Sequence, residues 1–286
     1  MEKIIDMTQE ELTNLNLNQP SKVIDCFAFN SELDMLEFRL TELDDVVDIF
    51  ILVEATQTFS GLPKDLNFHL NKKRFAKWLH KIHYHVVDNM PTGSSNEDTW
   101  SRDFFQKNSV KIPLSQLSLN PNDIIILSDL DEIPDSKVIK YFKENSIPGD
   151  AVSLLQNWYY YNLTTRMDVP PQVKAKCFYY YVMTSNPEMT TEEIRNQDWL
   201  QIENAGWHFS FFMSVDKIIE KVKAYAHQEF NTDEITNPER LRKLIKEGKD
   251  IFPGREENNL FFQLPIKDNP HLPKNYKFWL KNSRTL

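Results

Sequence analysis

Ile124-Ile125-Ile126-Leu127-Ser128-Asp129-Leu130-Asp131-Glu132-Ile133-Pro134-Asp135 is the stretch that decides the fold. Four apolar residues, three of them β-branched, have the length and composition of a strand covered on both faces. The run stops at four acids, Asp129, Asp131, Glu132 and Asp135, packed within seven residues. In open α/β sheets ligands bind beyond the carboxyl ends of the strands, so acids at this position mark a site. On extended backbone the side chains of Asp129 and Asp131 leave the same face. The spacing predicts that they share one hard cation, Mn2+ or Mg2+, able to neutralise a diphosphate. A solvated turn explains Asp135 as a helix cap, with Pro134 near the first helical position, but leaves three mutually repelling acids without a reason.

Outward from this strand the chain alternates. Upstream, Lys22 to Phe29 reads as a buried strand, Ser31 and Asp34 as a capping box, and Leu33, Leu36, Leu40 and Leu43 as one helical stripe. Val46 to Val53 is a second buried strand ending at Glu54. Lys72 to His80 reads as helical, Ile82, Tyr84 and Val86 as a third strand, Met90 to Asp98 as a loop, and Trp100 to Lys111 as a helix. Downstream, Ser136 to Glu144 is a helix, followed by two aromatic strand-like runs, Val152 to Leu163 and Val173 to Met183, around a Pro170-Pro171 turn. Ser214 caps one later helix, and Asn237-Pro238 opens and Gly248 closes another. The expected class is α/β: a mainly parallel central sheet with helices on both faces and a mixed or antiparallel C-terminal extension. Residues 1–21 form an N-terminal extension and 22–286 one domain.

Composition narrows the function. Thirty-three Lys+Arg against 42 Asp+Glu give a net charge of −9, and no basic run offsets it, so nucleic acid is not an expected partner. Only six glycines occur, none in a dinucleotide or P-loop fingerprint. No apolar run approaches the length of a membrane span, and no secretory signal is legible at the start. The two cysteines, Cys26 and Cys177, read as reduced core thiols, and the expected location is cytoplasmic.

A second constellation is Gly206-Trp207-His208-Phe209-Ser210, followed one helix later by His227-Gln228-Glu229-Phe230-Asn231. Histidine can complete a metal shell or act as a base. His83 and His85 have metal-pair spacing on a strand, but Ile82, Tyr84 and Val86 face inward, which leaves the histidines in solvent. Glu54 can accept hydrogen bonds from a ligand or be a solvated strand end. Lys217, Lys221 and Lys223 read as the wet face of a helix.

Asp25 to Lys64, Ile125 to Asp135, Gly206 to Phe212 (GWHFSFF), His227 to Thr232 (HQEFNT) and Gly248 to Arg255 (GKDIFPGR) occur in this order. Together they resemble glycosyltransferase family 17 over roughly Lys22 to Arg255. The resemblance implies a GT-A-like fold, with residues 22–135 as the nucleotide-sugar-binding half and 136–286 as the acceptor-binding half. It implies a UDP-sugar donor, with UDP-GlcNAc expected, a glycan or glycoconjugate acceptor, Mn2+ (or Mg2+), and an inverting displacement. Asp129 and Asp131 would bind the cation, Asp129 also touching the donor. Glu54 would lie near the nucleotide base, and Arg102, Lys107 and Trp207 would complete the donor contacts, Lys107 standing where Arg is expected. The general base is sought among Glu229, His208 and His227, in that order. Two other readings stand beside this one: a phosphohydrolase using the Asp129-Leu130-Asp131 motif, which such enzymes carry on their first strand rather than the fourth, and an inactive glycan- or nucleotide-binding relative.

Overall fold

The computed structural model describes residues 21–168, 173–253 and 260–282. The Pro170-Pro171 turn, the N-terminal extension up to residue 20 and the end of the GKDIFPGR segment lie outside them. Strands β1 (Val23–Phe29), β2 (Ile49–Ala55), β3 (Ile82–Val87) and β4 (Ile124–Leu127) run parallel in the order β4-β1-β2-β3. Along β1, β2 and β4 alternate side chains enter two different cores. Val23, Phe27, Phe50, Leu52, Ile124 and Ile126 pack on one face, and Ile24, Cys26, Ile51, Val53, Ile125 and Leu127 on the other. Coverage of both faces is the physical reason these strands are apolar without alternation.

The first face is covered by α1 (Leu33–Leu43), whose Leu36, Leu40 and Leu43 are fully buried as the stripe predicts. Beneath the second lie α3 (Lys111–Gln116) and α5 (Thr191–Arg195), which follow α2 (Asn96–Asn108) and α4 (Ser136–Glu144) in the chain. The sheet continues with β6 (Ala151–Leu154), β9 (Lys176–Tyr179) and β10 (Leu200–Ile202), and β9 is antiparallel to both β4 and β6. A second sheet, in the order β12-β8-β7-β11-β5, is built from β5 (Glu132–Pro134), β7 (Asn157–Tyr160), β8 (Thr165–Asp168), β11 (Gly206–Ser210) and β12 (Leu260–Gln263). All its pairings are antiparallel except β7 with β11. Thus β6, β9 and β10 return to the first sheet while β5 leaves it, and residue 135 does not divide one sheet from the other. Helices α6 (Val215–Ala224) and α7 (Pro238–Glu247) pack beside the second sheet; Ser214 and Asn237 cap them and left-handed Gly248 ends α7, as expected.

Several expectations are corrected. Lys72 to His80 is not an α-helix: a short 3-10 helix, Lys72–Phe75, is followed by turns, with N–H to carbonyl bonds three residues apart from Ala76 to Lys73 and from Trp78 to Phe75. Helix α2 begins inside the expected 90–98 loop, where Ser95 and Asp98 form a full capping box. The capping box at Ser31 and Asp34 does not form: Glu32 is the N-cap position of α1 and makes no side-chain cap bond. Pro134 lies in β5 rather than at a helix start. Cys26 and Cys177 are buried free thiols, and among the described residues no helix is long and apolar enough to cross a membrane.

On β9 the fold buries a lysine. Lys176 is 2% exposed, and its ammonium donates to Ser153 Oγ at 2.6 Å and to the Gln197 carbonyl at 2.7 Å. Burial lowers its pKa from 10.5 to about 8. The folded protein therefore releases this proton before the unfolded chain does, and the cost of the buried charge is relieved as pH rises from about 8 to 10.5. Melting curves of the wild type and Lys176→Met across this window should show the wild type gaining stability relative to the variant as pH rises.

Candidate active site

Beyond the carboxyl end of β4 the chain does not stay extended. The Glu132 N–H donates to the Asp129 carbonyl at 3.0 Å, the Asp129 N–H to Glu132 Oε2 at 2.8 Å, and Ser128 Oγ to the Glu132 carbonyl at 2.9 Å. These bonds close a tight turn, which corrects the reading of one extended face. Arg39, wholly buried on α1, ties the turn to the sheet. Its Nε and Nη2 make a bidentate pair with Asp25 of β1 at 2.8 and 2.6 Å. Nη2 also reaches Ser128 Oγ at 2.7 Å, and Nη1 donates to the carbonyls of Asp129, Leu130 and Glu132 at 2.8–3.1 Å. One guanidinium thus satisfies three turn carbonyls that have no strand partner.

The turn aims Asp129 and Asp131 at different cations. Asp129 meets Arg195 of α5 at 2.9 Å through Oδ2 and Lys107 of α2 at 3.2 Å through Oδ1. Burial pushes this carboxyl up, but the Arg195 guanidinium and the Lys107 ammonium hold it far below the usual carboxylate range. Arg195 also pairs with Glu132 at 2.9 Å, and Lys107 with Asp103 at 3.0 Å. Asp131 is held more loosely: Lys221 Nζ lies 3.4 Å from Oδ2 and His208 Nε2 3.7 Å from Oδ1. Both aspartates open onto one cavity of about 330 Å³, whose wall also carries Glu32, Asp103, Lys107, Lys221, His208 and His227.

His208 enters the cavity because β11 alternates. Trp207 and Phe209 point into the core and His208 and Ser210 to the other side. Its ring stacks on Trp158, centroids 4.4 Å apart and 10° from parallel, and Nε2 is 3.3 Å from Ser210 Oγ. Gly206 permits this register, since a Cβ there would strike the Ile133 carbonyl on β5. His227 follows α6; its Nδ1 lies 2.6 Å from Glu229 Oε1 and its ring meets Trp100 edge-on at 4.6 Å. The neighbouring Ala224 and Ala226 carbonyls accept from Ser60 N–H and Thr99 Oγ1, which fixes the segment against the opposite wall.

Four expected site residues stand elsewhere. Glu229 is not on the cavity wall and serves His227 instead. Trp207 is a core residue whose indole N–H donates to the His271 carbonyl. Glu54 is 0% exposed and is consumed within the chain, accepting from Tyr84 Oη at 2.8 Å, Lys64 Nζ at 3.1 Å and the Phe68 N–H. Arg102, also buried, clamps a loop: it donates to the carbonyls of Phe59, Pro91 and Gly93 while its guanidinium covers Gly61. Neither lines the cavity, so the donor contacts expected of both are not supported by this geometry. Reading the sequence missed Arg39, Arg195, Glu32 and Lys221, and no local pattern distinguishes them from other helix or loop charges.

The family model for glycosyltransferase family 17 matches residues 7–277. Among curated proteins, the rat and human β-1,4-mannosyl-glycoprotein 4-β-N-acetylglucosaminyltransferases are each 33% identical to the chain over 127 residues, 43% of this chain. That match spans 24% of the length of either relative.

Removing Arg39 would leave the Asp25 carboxylate buried and unpaired and would free the turn. Arg39→Met should cost about 3–5 kcal/mol in urea unfolding, and Arg39→Lys should recover little, since a point charge cannot make the planar set of bonds. By the same measurement Asp129→Asn should destabilise more than Asp131→Asn, because Asp129 answers two held cations and Asp131 makes only loose contacts.

Proposed function

Because the chain belongs to glycosyltransferase family 17, we propose that it transfers N-acetylglucosamine from UDP-GlcNAc to a hydroxyl group of a glycan acceptor, with inversion at the anomeric carbon. One observation carries this reading. A single cavity at the carboxyl ends of the strands brings the loosely held carboxylate of Asp131 and two lysines together with a histidine braced by a carboxylate. The acid and the cations suit a metal-associated diphosphate, and the braced histidine suits a nucleophile that must lose a proton.

In the proposed reaction the acceptor oxygen bonds to the anomeric carbon as the bond from that carbon to the phosphate oxygen breaks. The electron pair leaves with UDP, and the acceptor proton passes to a base. Geometry favours His227 over Glu229 as that base. The Glu229 carboxylate on Nδ1 holds one tautomer and leaves Nε2 to take the proton, the arrangement by which a carboxylate orients and supports an imidazole. Lys107 contributes positive charge on the diphosphate side, although its own pairing with Asp103 and Asp129 limits its reach.

Of the two aspartates expected to hold a metal, Asp129 is the less available, since its oxygens meet Arg195 and Lys107 at 2.9 and 3.2 Å. Asp131 and His208 fit: one oxygen and one imidazole nitrogen facing each other at the cavity suit Mn2+. Among the described residues no cluster of three or more His, Cys, Asp or Glu side chains could hold a metal ion. The protein would therefore offer two ligands and leave the remaining positions to donor oxygens and water. A bound cation supplies charge neutralisation for the departing diphosphate.

The test is UDP release from a panel of UDP-sugars, with Mn2+ or EDTA and a set of glycan acceptors. UDP-GlcNAc should be turned over and the other donors poorly. His227→Ala should lower kcat by about 10²–10⁴-fold, Glu229→Gln by less, and both should still bind UDP. UDP binding without transfer to any acceptor would instead favour the inactive relative.

A further inference from the structure

Lys221 reads from sequence as one of three solvated lysines on α6, but the fold separates it from the other two. Lys217 pairs with Glu220 on the exposed surface. Lys221, in the last turn of the same helix, turns inward, its side chain 22% exposed. Its Nζ stands in the cavity 3.2 Å from Glu32 Oε1 and 3.4 Å from Asp131 Oδ2, and 5.7 Å from the centre of the Phe211 ring. Three separate segments, the start of α1, the turn after β4 and the end of α6, meet at this one ammonium. Burial opposes the charge, but Asp131 and Glu32 hold the pKa above its ordinary range.

Lys176, by contrast, is held at 2.6 and 2.7 Å and does not line the cavity of Asp129 and Asp131. The contacts of Lys221 are longer than the 2.7–2.9 Å of well-formed charge-assisted bonds. Its three donors exceed the two carboxylates that share them. Asp131 is also the carboxylate best placed for a cation. When Asp131 is so engaged, Lys221 keeps Glu32 as its partner and has hydrogen-bonding capacity for an anion. Glu32 itself makes no helix-cap bond, its carboxylate being turned instead to the Ser31 N–H and to Lys221.

We propose that Lys221 is a ligand of the donor's diphosphate, delivering positive charge to the leaving nucleoside diphosphate, and that Glu32 is the positioning residue that holds it in the cavity. The inference rests on the nucleotide-sugar reading of the site and adds a protein cation to the divalent one.

The test compares binding of UDP and of uridine by ligand-observed NMR titration, with Mn2+ and with EDTA. It uses the wild type, Lys221→Met, Lys221→Arg and Glu32→Gln. Lys221→Met should weaken UDP about tenfold or more in both media and leave uridine unchanged, which also reports an intact fold. Lys221→Arg should restore most of the loss, and Glu32→Gln should weaken UDP by a smaller factor. In turnover, Lys221→Met should lower kcat and not only raise KM. Undiminished UDP binding in Lys221→Met, with the wild type binding UDP, overturns the role of Lys221 and leaves the transferase reading standing. A wild type that binds neither UDP nor uridine overturns both. Should Lys221→Met fail to fold, Glu32→Gln decides: weaker UDP with unchanged uridine supports the proposal, and unchanged UDP overturns it.

Discussion

A buried guanidinium holds the site together. Arg39 projects from α1, pairs with Asp25 in the central strand, and donates to three carbonyls and one hydroxyl of the turn that carries Asp129 and Asp131. The turn follows a strand that ends inside the protein, and the carbonyls of Asp129, Leu130 and Glu132 find their donor in Arg39, while that of Asp131 accepts from the Phe209 N–H of β11. One planar group serves those three carbonyls, and the Asp25 carboxylate offsets the cost of burying its charge. Position, charge balance and backbone satisfaction therefore depend on the same side chain.

From that turn outward, charge is arranged in two tiers. Asp129 belongs to a closed network with Lys107, Asp103, Arg195 and Glu132, whose members bind one another at 2.9–3.2 Å. Such a network fixes the relative positions of α2, α5 and the turn. Asp131, His208, Lys221 and Glu32 form the second tier, with contacts of 3.2–3.7 Å that can open to a ligand. The two residues of the Asp-x-Asp motif therefore differ in how tightly they are paired, although both line the cavity. The second sheet supplies the opposing wall, its His208 braced by Trp158 and Ser210.

How much of this was legible can be judged residue by residue. The buried strands around Val23, Ile49 and Ile124 were readable because coverage on both faces suppresses alternation. That Asp129 and Asp131 stand together beyond the end of β4 was readable because acids at the end of an apolar strand need a partner, and both line one cavity. The same spacing misled on geometry, since it assumed extended backbone where distant donors from Arg39 impose a turn. The burial of Glu54 and Arg102 was not readable, because their partners, Tyr84 and Lys64 for one and the Phe59, Pro91 and Gly93 carbonyls for the other, meet them only once the fold is formed. Lys221 was hidden by its neighbours, because three lysines on one helix look alike until the helix is docked.

What the sequence determined by itself is whatever depends on local pattern: the apolar periods that choose strand or helix, the caps Ser214 and Asn237, the stop at Gly248, and the place where the acids cluster. Its ordered segments also determined the family. The tertiary structure decided which charges are paired, which are buried and which face the cavity. Pairing depends on distances between side chains far apart along the chain, such as Arg39 with the turn at 129–132 and Lys221 with Asp131 and Glu32. Those distances exist only after the helices have docked, and at that scale electrostatics is set by geometry rather than by order along the chain.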